Sequence, residues 1–144
     1  MSYYSAWVPE TTKFEHPCAL FITGTTGSGK SRFIANTIEH GGITGQIEHI
    51  FYFMPRMEPL SLVPLEHQKL HKYQGIPTQY WLDNTFEPEY QNNSIIVVDD
   101  QWTEACNSDI ARLLLTYSRR HLNVSLIFVS HSFFEKGPFS IIMR

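Results

Sequence analysis

Short apolar runs, separated by turn-forming residues, mark out the chain. Runs of this length that are rich in β-branched and aromatic residues predict buried β-strands. The predicted strands are "CALFIT" (18–23), "IEHIFYFM" (47–54), "SIIVVDD" (94–100), "VSLIFVSH" (124–131) and "FSIIM" (139–143). The third run is almost continuously apolar, which favours a central parallel strand that is covered on both faces.

Helical spacing appears between these runs. A helix is predicted over residues 30–40, with Gly41-Gly42 as its stop signal. The residues that share its apolar face are Phe33, Ile34, Thr37 and Ile38. A second helix is predicted after residue 100. Its apolar positions, three or four residues apart, are Trp102, Cys106, Ile110, Leu113, Leu114 and Tyr117.

The segment 56–93 has the weakest pattern and contains four prolines. Its best candidates are a short helix at "LEHQKLHKY" (65–73) and a short strand at "TQYWL" (78–82). Strands that alternate with helices elsewhere predict an α/β fold with a mainly parallel sheet. We expect one domain over residues 17–144 after an extension at 1–16. Cys18 and Cys106 are predicted to be free thiols.

The loop after the first strand carries the clearest motif. It fits G-x-x-x-x-G-K-[ST] without a mismatch, between a predicted strand and a predicted helix. Its residues are Gly24, Thr25, Thr26, Gly27, Ser28, Gly29, Lys30 and Ser31. Glycines let backbone N–H groups turn toward phosphate oxygens, and the helix adds its positive end. Lys30 is predicted to bind the β- and γ-phosphates, and the Ser31 hydroxyl to bind Mg²⁺.

Two acids end the strand at 94–100. Asp99 is predicted to hold Mg²⁺, directly or through water, and Asp100 to orient the attacking water. Glu104, one helical turn further on, is a reserve candidate for the base. The alternative interpretation is a pair of solvated acids at a strand end.

A basic segment precedes the last buried strand. Arg119 and Arg120 follow a predicted helix, where cations offset the helix dipole. The other interpretation is that one arginine reaches a γ-phosphate from a neighbouring subunit and stabilises the transition state. Ser130 and His131 end the strand, where either could sense the phosphate or His131 could cap a loop.

Composition limits the classes of partner. The net charge is −3 with histidines neutral, whereas a domain that binds nucleic acid mainly by charge is usually basic. A nucleic-acid role therefore needs a local basic patch or an assembly. No apolar run approaches the ~20 residues of a membrane span, and the first residues lack a secretory signal pattern. We expect an intracellular protein.

The remaining histidines and aromatics have simpler interpretations. His67 and His71 are four residues apart without the zinc-protease pattern, so a solvated helix face is predicted. No partners are evident for His16 and His49. The aromatics of "IFYFM" and "YW" are predicted to be core rather than a base-stacking platform.

Three segments in this order resemble a known family. They are "KFEHPCALFITGTTGSGKSRF", "SIIVVDDQWTEA" and "LLLTYSRRHLNVSLIFVSHSFFEKG". They are similar to the genome-packaging ATPases of large DNA viruses (the poxvirus type) and of the virus-like Polinton/Maverick elements, in the FtsK–HerA group of P-loop NTPases. The resemblance covers about residues 13–143.

The resemblance implies a three-layer, RecA/ASCE-like P-loop fold and a Mg²⁺-dependent ATPase. It implies nucleotide binding by residues 24–31, Mg²⁺ binding by Asp99 and a catalytic position at Asp100. It also places Arg119 or Arg120 near a site between subunits of a homo-oligomer.

Two departures from the family pattern stand out. The family usually has Gln-Asn after the last strand, where this chain has His131-Ser132. Relatives also continue through another strand beyond the position of Arg144, so the resemblance implies a sheet that is truncated at its C-terminal side.

The residues leave three functions open. The first is an ATPase that moves double-stranded DNA non-specifically through a ring. The second is a degenerate domain that binds nucleotide without hydrolysing it, and the third is a small nucleotide kinase. The phosphate loop contacts phosphates and not the base, so it does not separate ATP from GTP.

Overall fold

The computed structural model describes residues 13–25, 27, 29–86, 88–117 and 123–131. Within them, the strands are β1 (Ala19–Thr23), β2 (His49–Met54), β3 (Lys69–Gln74), β4 (Ser94–Asp99) and β5 (Ser125–Ser130). The helices are α1 (Lys30–Glu39), α2 (Gln79–Asn84), α3 (Trp102–Asn107) and α4 (Ile110–Tyr117), with a 3-10 turn at Pro88–Tyr90.

The strands form a parallel sheet in the order β1-β5-β4-β2-β3. The prediction of an α/β fold with a mainly parallel sheet is therefore confirmed. The central strands are the most apolar: every residue of β5 is buried, and so is every residue of β4 except Asp99. Strands of this kind need cover on both faces.

Helices supply that cover on both sides. Along β2, Phe51 and Phe53 join one hydrophobic cluster, whereas Ile50 and Tyr52 join another. The second cluster contains α1 through residues such as Ile34, and the first contains α2, α3 and α4. The connection from β1 to β2 runs along the sheet in the opposite direction to those from β3 to β4 and from β4 to β5. Right-handed crossovers place such connections on opposite faces.

The helix predicted over 65–73 is wrong, because this segment contains β3. Side chains of β3 alternate: Leu70 packs with the α1 cluster, and His71 and Tyr73 face the other side. Among the described strands β3 pairs only with β2, so it lies at the edge of the described sheet. Exposed charged residues such as Lys72 are typical of an edge strand, and they make the segment look like a polar helix.

The strand predicted over 78–82 is also wrong. Helix α2 begins after Thr78, whose hydroxyl accepts a hydrogen bond from the Trp81 N–H at 3.0 Å. This is an N-cap, and it favours a helix over the extended form. The helix buries Trp81 against the rings of Phe51 and Phe53, so the prediction of a core position is confirmed for these aromatics. It is wrong for Tyr80, which is 73% exposed.

The apolar periodicity after residue 100 covers two helices instead of one. Asp109 has a left-handed backbone with φ 67°, which ends α3 and redirects the chain into α4. Asp tolerates this conformation because its short side chain can bond locally. Ile110 and Leu114 still reach the same cluster as Trp102, so the spacing identified the buried face correctly.

His16 and His49 do have partners, so the prediction that they lack them is wrong. The His16 ring lies 2.6 Å from the Ser125 hydroxyl and 2.8 Å from the Asn92 carbonyl oxygen, which ties the entry to β1 to the start of β5. The His49 Nδ1 lies 3.2 Å from the His71 Nε2. These contacts join segments far apart in the chain, which sequence spacing does not reveal.

Three smaller expectations remain. Cys18 and Cys106 are not joined in a disulfide, as predicted. None of the helices in the described ranges is long and apolar enough to cross a membrane. The strand predicted at 139–143 lies outside the described residues.

We predict that stability falls as the pH drops through the histidine range because of His71. Burial lowers the pKa of His71 below its ordinary value of 6.5, and His49 and Lys69 lower it further. The folded chain therefore favours the neutral ring. Its stabilising contribution is present above pH 6.5 and is lost as the pH falls from there through the lower folded pKa.

Urea denaturation between pH 8 and pH 5 tests this expectation. The wild type should lose more stability over that interval than His71→Gln. His67→Gln, at an exposed histidine in the preceding turn, is the matched control and should behave like the wild type. Equal pH dependence of His71→Gln and the wild type would contradict the prediction.

Candidate functional site

A cleft of about 800 Å³ lies at the carboxyl edge of the sheet. Its walls come from the loop after β1, from the ends of β2, β4 and β5, and from the segment after β2. The lining residues are Gly27, Gly29, Lys30, Ser31, Arg32, Met54, Pro55, Arg56, Glu58, Leu60, Asp99, Asp100 and His131. β4 and β2 are neighbours whose following connections run in opposite directions, and parallel sheets bind ligands at such a switch point.

The glycine loop opens directly onto the first turn of α1. Gly27 and Gly29 have φ values of 83° and 95°, and a Cβ built on either would lie in open space. Gly29 is the N-cap of α1 and offers no side chain to its N–H groups, and the first turn carries no acidic residue. An uncapped helix start with its positive dipole end is suited to an anion.

Lys30 lies inside this loop and bonds to it. Its Nζ donates to the Gly24 carbonyl oxygen and lies 3.4 Å from the Nδ1 of His131. The Gly24 N–H in turn donates to the Ser130 carbonyl oxygen at 3.2 Å. The loop is therefore tied to the end of β5, and the ammonium of Lys30 faces the cleft from a fixed position.

Asp100 and His131 form the other side of this arrangement. The His131 Nε2 lies 2.7 Å and 2.8 Å from the two carboxylate oxygens of Asp100. Asp100 has a left-handed backbone with φ 56°, and its N–H donates to the Val129 carbonyl oxygen at 2.9 Å. Because of that turn, the Asp100 side chain points toward the end of β5. It does not follow the alternation of side chains between the two faces of the sheet that holds along β4.

The side chain of Asp99 contacts β2, whereas the side chain of Asp100 contacts the residue after β5. Its Oδ2 accepts a hydrogen bond from the Tyr52 hydroxyl at 3.0 Å. Burial raises the pKa of the Asp99 carboxyl, the Tyr52 hydrogen bond lowers it, and the Asp100 charge raises it again. Smaller lowering effects come from Lys30 and His131. A partly buried acid of this kind gains from a cation placed beside it.

The structure brings most of the predicted site residues together. Seven of the predicted residues line the cleft: Gly27, Gly29, Lys30, Ser31, Asp99, Asp100 and His131. Gly24 lies at the end of β1, and Thr25 is exposed beside it. Thr26, Ser28, Arg119 and Arg120 lie outside the described residues. Glu104 is exposed and does not line the cleft.

Sequence reasoning missed several residues of the cleft and its support. Arg32 and Arg56 line the cleft, and Tyr52 holds Asp99. Gln101 is buried, and its Nε2 donates to the Gly75 carbonyl oxygen at 2.7 Å, which anchors the turn after Asp100. Arg56 is the second residue after the end of β2, and that position was the available signal because parallel strands gather their carboxyl ends at one edge.

Comparisons with known proteins add little to this geometry. No protein-family model matches the chain, and no curated protein does. Among solved structures, EccC of Thermomonospora curvata (its ATPases 2 and 3, in complex with a signal sequence peptide) aligns with 18% identity and a TM-score of 0.47. The alignment covers 81% of this chain and 25% of the EccC chain, so this chain spans about a quarter of that protein. The resemblance to genome-packaging ATPases stays a prediction.

We predict that the loop binds polyphosphate and that Gly29→Ala removes this binding. An alanine at φ 95° is strained, at a cost of about 1–2 kcal/mol, and relief of the strain would displace the N–H groups of the cradle. The measurement is chemical denaturation with and without tripolyphosphate. The wild type should be stabilised by the anion, and Gly29→Ala should not.

Gly41→Ala is the matched control. Gly41 also has a positive φ, 64°, and open space around it, but it follows the other end of α1. It should lose a similar amount of stability and still be stabilised by tripolyphosphate. Stabilisation of Gly29→Ala equal to that of the wild type would show that the anion binds elsewhere.

Proposed function

We propose that the chain is a P-loop nucleoside triphosphatase that binds ATP with Mg²⁺ in the cleft and hydrolyses it. One observation carries the proposal. Four residues of the phosphate-loop motif line the same cleft as Asp99, Asp100 and His131: Gly27, Gly29, Lys30 and Ser31. In this proposal residues 17–144 belong to a three-layer, RecA/ASCE-like P-loop domain.

The residues present fit a triphosphate. Gly27 and Gly29 leave open space where other residues would place a Cβ, so phosphate oxygens can approach the backbone. Lys30 supplies a fixed positive charge beside them, and Arg32 lines the same wall. These groups bind the negative charge of the phosphates and orient the γ-phosphate toward the ends of β4 and β5.

The residues also fit Mg²⁺. The Ser31 hydroxyl and the Asp99 carboxylate line one cleft, and hydroxyl and carboxylate oxygens are ligands that Mg²⁺ accepts alongside substrate phosphates. When bound, Mg²⁺ neutralises charge on the phosphates. Asp100 orients water for attack on the γ-phosphorus, while the bond to the oxygen that bridges the β- and γ-phosphates breaks. In this proposal Asp100 accepts the proton that the water releases, and His131 is its hydrogen-bonding partner.

The proposed biological role is a motor that packages or translocates double-stranded DNA. The order of the three motif segments supports it, through their resemblance to packaging ATPases. Such a protein works as a homo-oligomeric ring inside the cell, with Arg119 or Arg120 reaching a neighbouring subunit's nucleotide. DNA contact by a net-acidic chain would then depend on basic loops shared around the ring.

A second candidate is nucleotide binding without hydrolysis. One observation favours it: both oxygens of the Asp100 carboxylate lie within hydrogen-bond distance of one His131 nitrogen. If this pair holds Asp100 away from the γ-phosphate when nucleotide is bound, Asp100 orients no attacking water, and the domain acts as a nucleotide-dependent binding module.

We predict that Lys30→Ala abolishes nucleotide binding or reduces turnover, by on the order of 100-fold, because one preorganised charge at the phosphates is lost. The measurements are binding of a fluorescent ATP analogue and release of phosphate. Lys72→Ala, at an exposed lysine on β3, is the control and should match the wild type. Unchanged ATPase activity in Lys30→Ala would refute the assignment.

We predict that Asp100→Asn retains nucleotide binding and loses hydrolysis, because the amide keeps the shape but is a much weaker base. Phosphate release is measured with and without double-stranded DNA. DNA-stimulated release by the wild type supports the motor, and binding without release supports the second candidate. ADP formation that requires a nucleoside monophosphate would indicate a kinase instead.

A further inference from the structure

Tyr52 is an unusual residue for its position in β2. The strand lies between β4 and β3, and Tyr52 is only 3% exposed. Its neighbours in the same cluster are aliphatic, among them Ile50, Val97 and Val129. A phenol in such surroundings needs a hydrogen-bond partner. Its hydroxyl donates to the Asp99 Oδ2 at 3.0 Å.

The strand register explains how the hydroxyl reaches the acid. Tyr52 pairs with Val97 across β2 and β4, and Asp99 lies two residues further along β4. Residues two apart in a strand share a face, so Tyr52, Val97 and Asp99 all point to the side of the sheet that α1 covers. The long tyrosine side chain extends toward the carboxyl edge and meets the carboxylate there.

We infer that Tyr52 is a positioning residue that holds one oxygen of Asp99, so that the other oxygen faces the cleft to bind a divalent cation. This inference rests on the proposed function, because it assigns a role to Tyr52 only if Asp99 binds Mg²⁺. Partners of this kind orient metal ligands, and their removal typically weakens metal binding about 10–100-fold.

The electrostatics of the pair agree with this role. Burial raises the pKa of the Asp99 carboxyl, and the Tyr52 hydrogen bond acts against that rise. Burial and the neighbouring Asp99 raise the pKa of the Tyr52 phenol far above its ordinary value. The neutral phenol is the donor in this hydrogen bond, and the carboxylate is the acceptor.

The competing explanation is that Asp99 only satisfies a buried phenol. In that case removal of the hydroxyl changes stability and leaves the Mg²⁺ requirement unchanged. Tyr52→Phe separates the two, because it keeps the ring and removes only the oxygen. Tyr73→Phe is the matched control: this ring stacks on Phe53, on the opposite face of the sheet.

The experiment is a Mg²⁺ titration of the binding of a fluorescent ATP analogue. We expect the half-saturating Mg²⁺ concentration to rise about 10-fold in Tyr52→Phe. Affinity for the analogue in EDTA should change less than about twofold, because the phosphate loop is intact. Tyr73→Phe should match the wild type in both measurements.

A second variant removes the acceptor and keeps the Tyr52 ring. Asp99→Asn should also raise the Mg²⁺ requirement, and adding Tyr52→Phe to it should raise the requirement no further, since the two residues act as one unit. A Mg²⁺ requirement in Tyr52→Phe equal to that of the wild type, or full additivity in the double variant, overturns the inference but leaves the proposed function intact. Absence of Mg²⁺-dependent nucleotide binding in the wild type overturns both.

Discussion

The placement of β5 between β1 and β4 is the constraint on which the site depends. Parallel hydrogen bonding pairs Thr23 with Ser130 on one side and Asp99 with Val129 on the other. The three strands therefore end at nearly the same level, and the residue after each one enters a common space. Those residues are Gly24, His131 and Asp100. A shift of β5 by one residue would turn its side chains to the opposite face of the sheet, so the buried pattern of β5 also fixes the position of His131.

The charges of the cleft explain why a cation would accompany a polyphosphate. Three cationic and three acidic side chains line the cleft, together with His131. They are Lys30, Arg32 and Arg56 against Glu58, Asp99 and Asp100. A triphosphate adds several negative charges to this balance. The uncapped start of α1 offsets part of them, and a divalent cation beside Asp99 would offset the rest.

The sequence predicted most of the fold, because local pattern and tertiary packing agree where strands are buried on both faces. The prediction failed at β3 and α2, because contacts between residues far apart in the chain decide there between strand and helix. β3 pairs with β2, and Trp81 packs on Phe51. At the site, the loop and the acid pair were visible because their spacing is local. Tyr52 was not, because its role depends on the register between β2 and β4, which no single stretch of sequence encodes.

The His131 ring contacts both Lys30 of the phosphate loop and Asp100 after β4, and these two contacts select one tautomer. Its Nδ1 faces the Lys30 ammonium, which can only donate, so the Nδ1 accepts, and the Nε2–H donates to Asp100. In the proposed reaction a γ-phosphate competes for Lys30, so the Nδ1 of His131 loses this donor when Lys30 turns to the phosphate. The Nε2 of the same ring contacts Asp100, so a change at the phosphate loop would reach the proposed water-orienting acid through a single side chain.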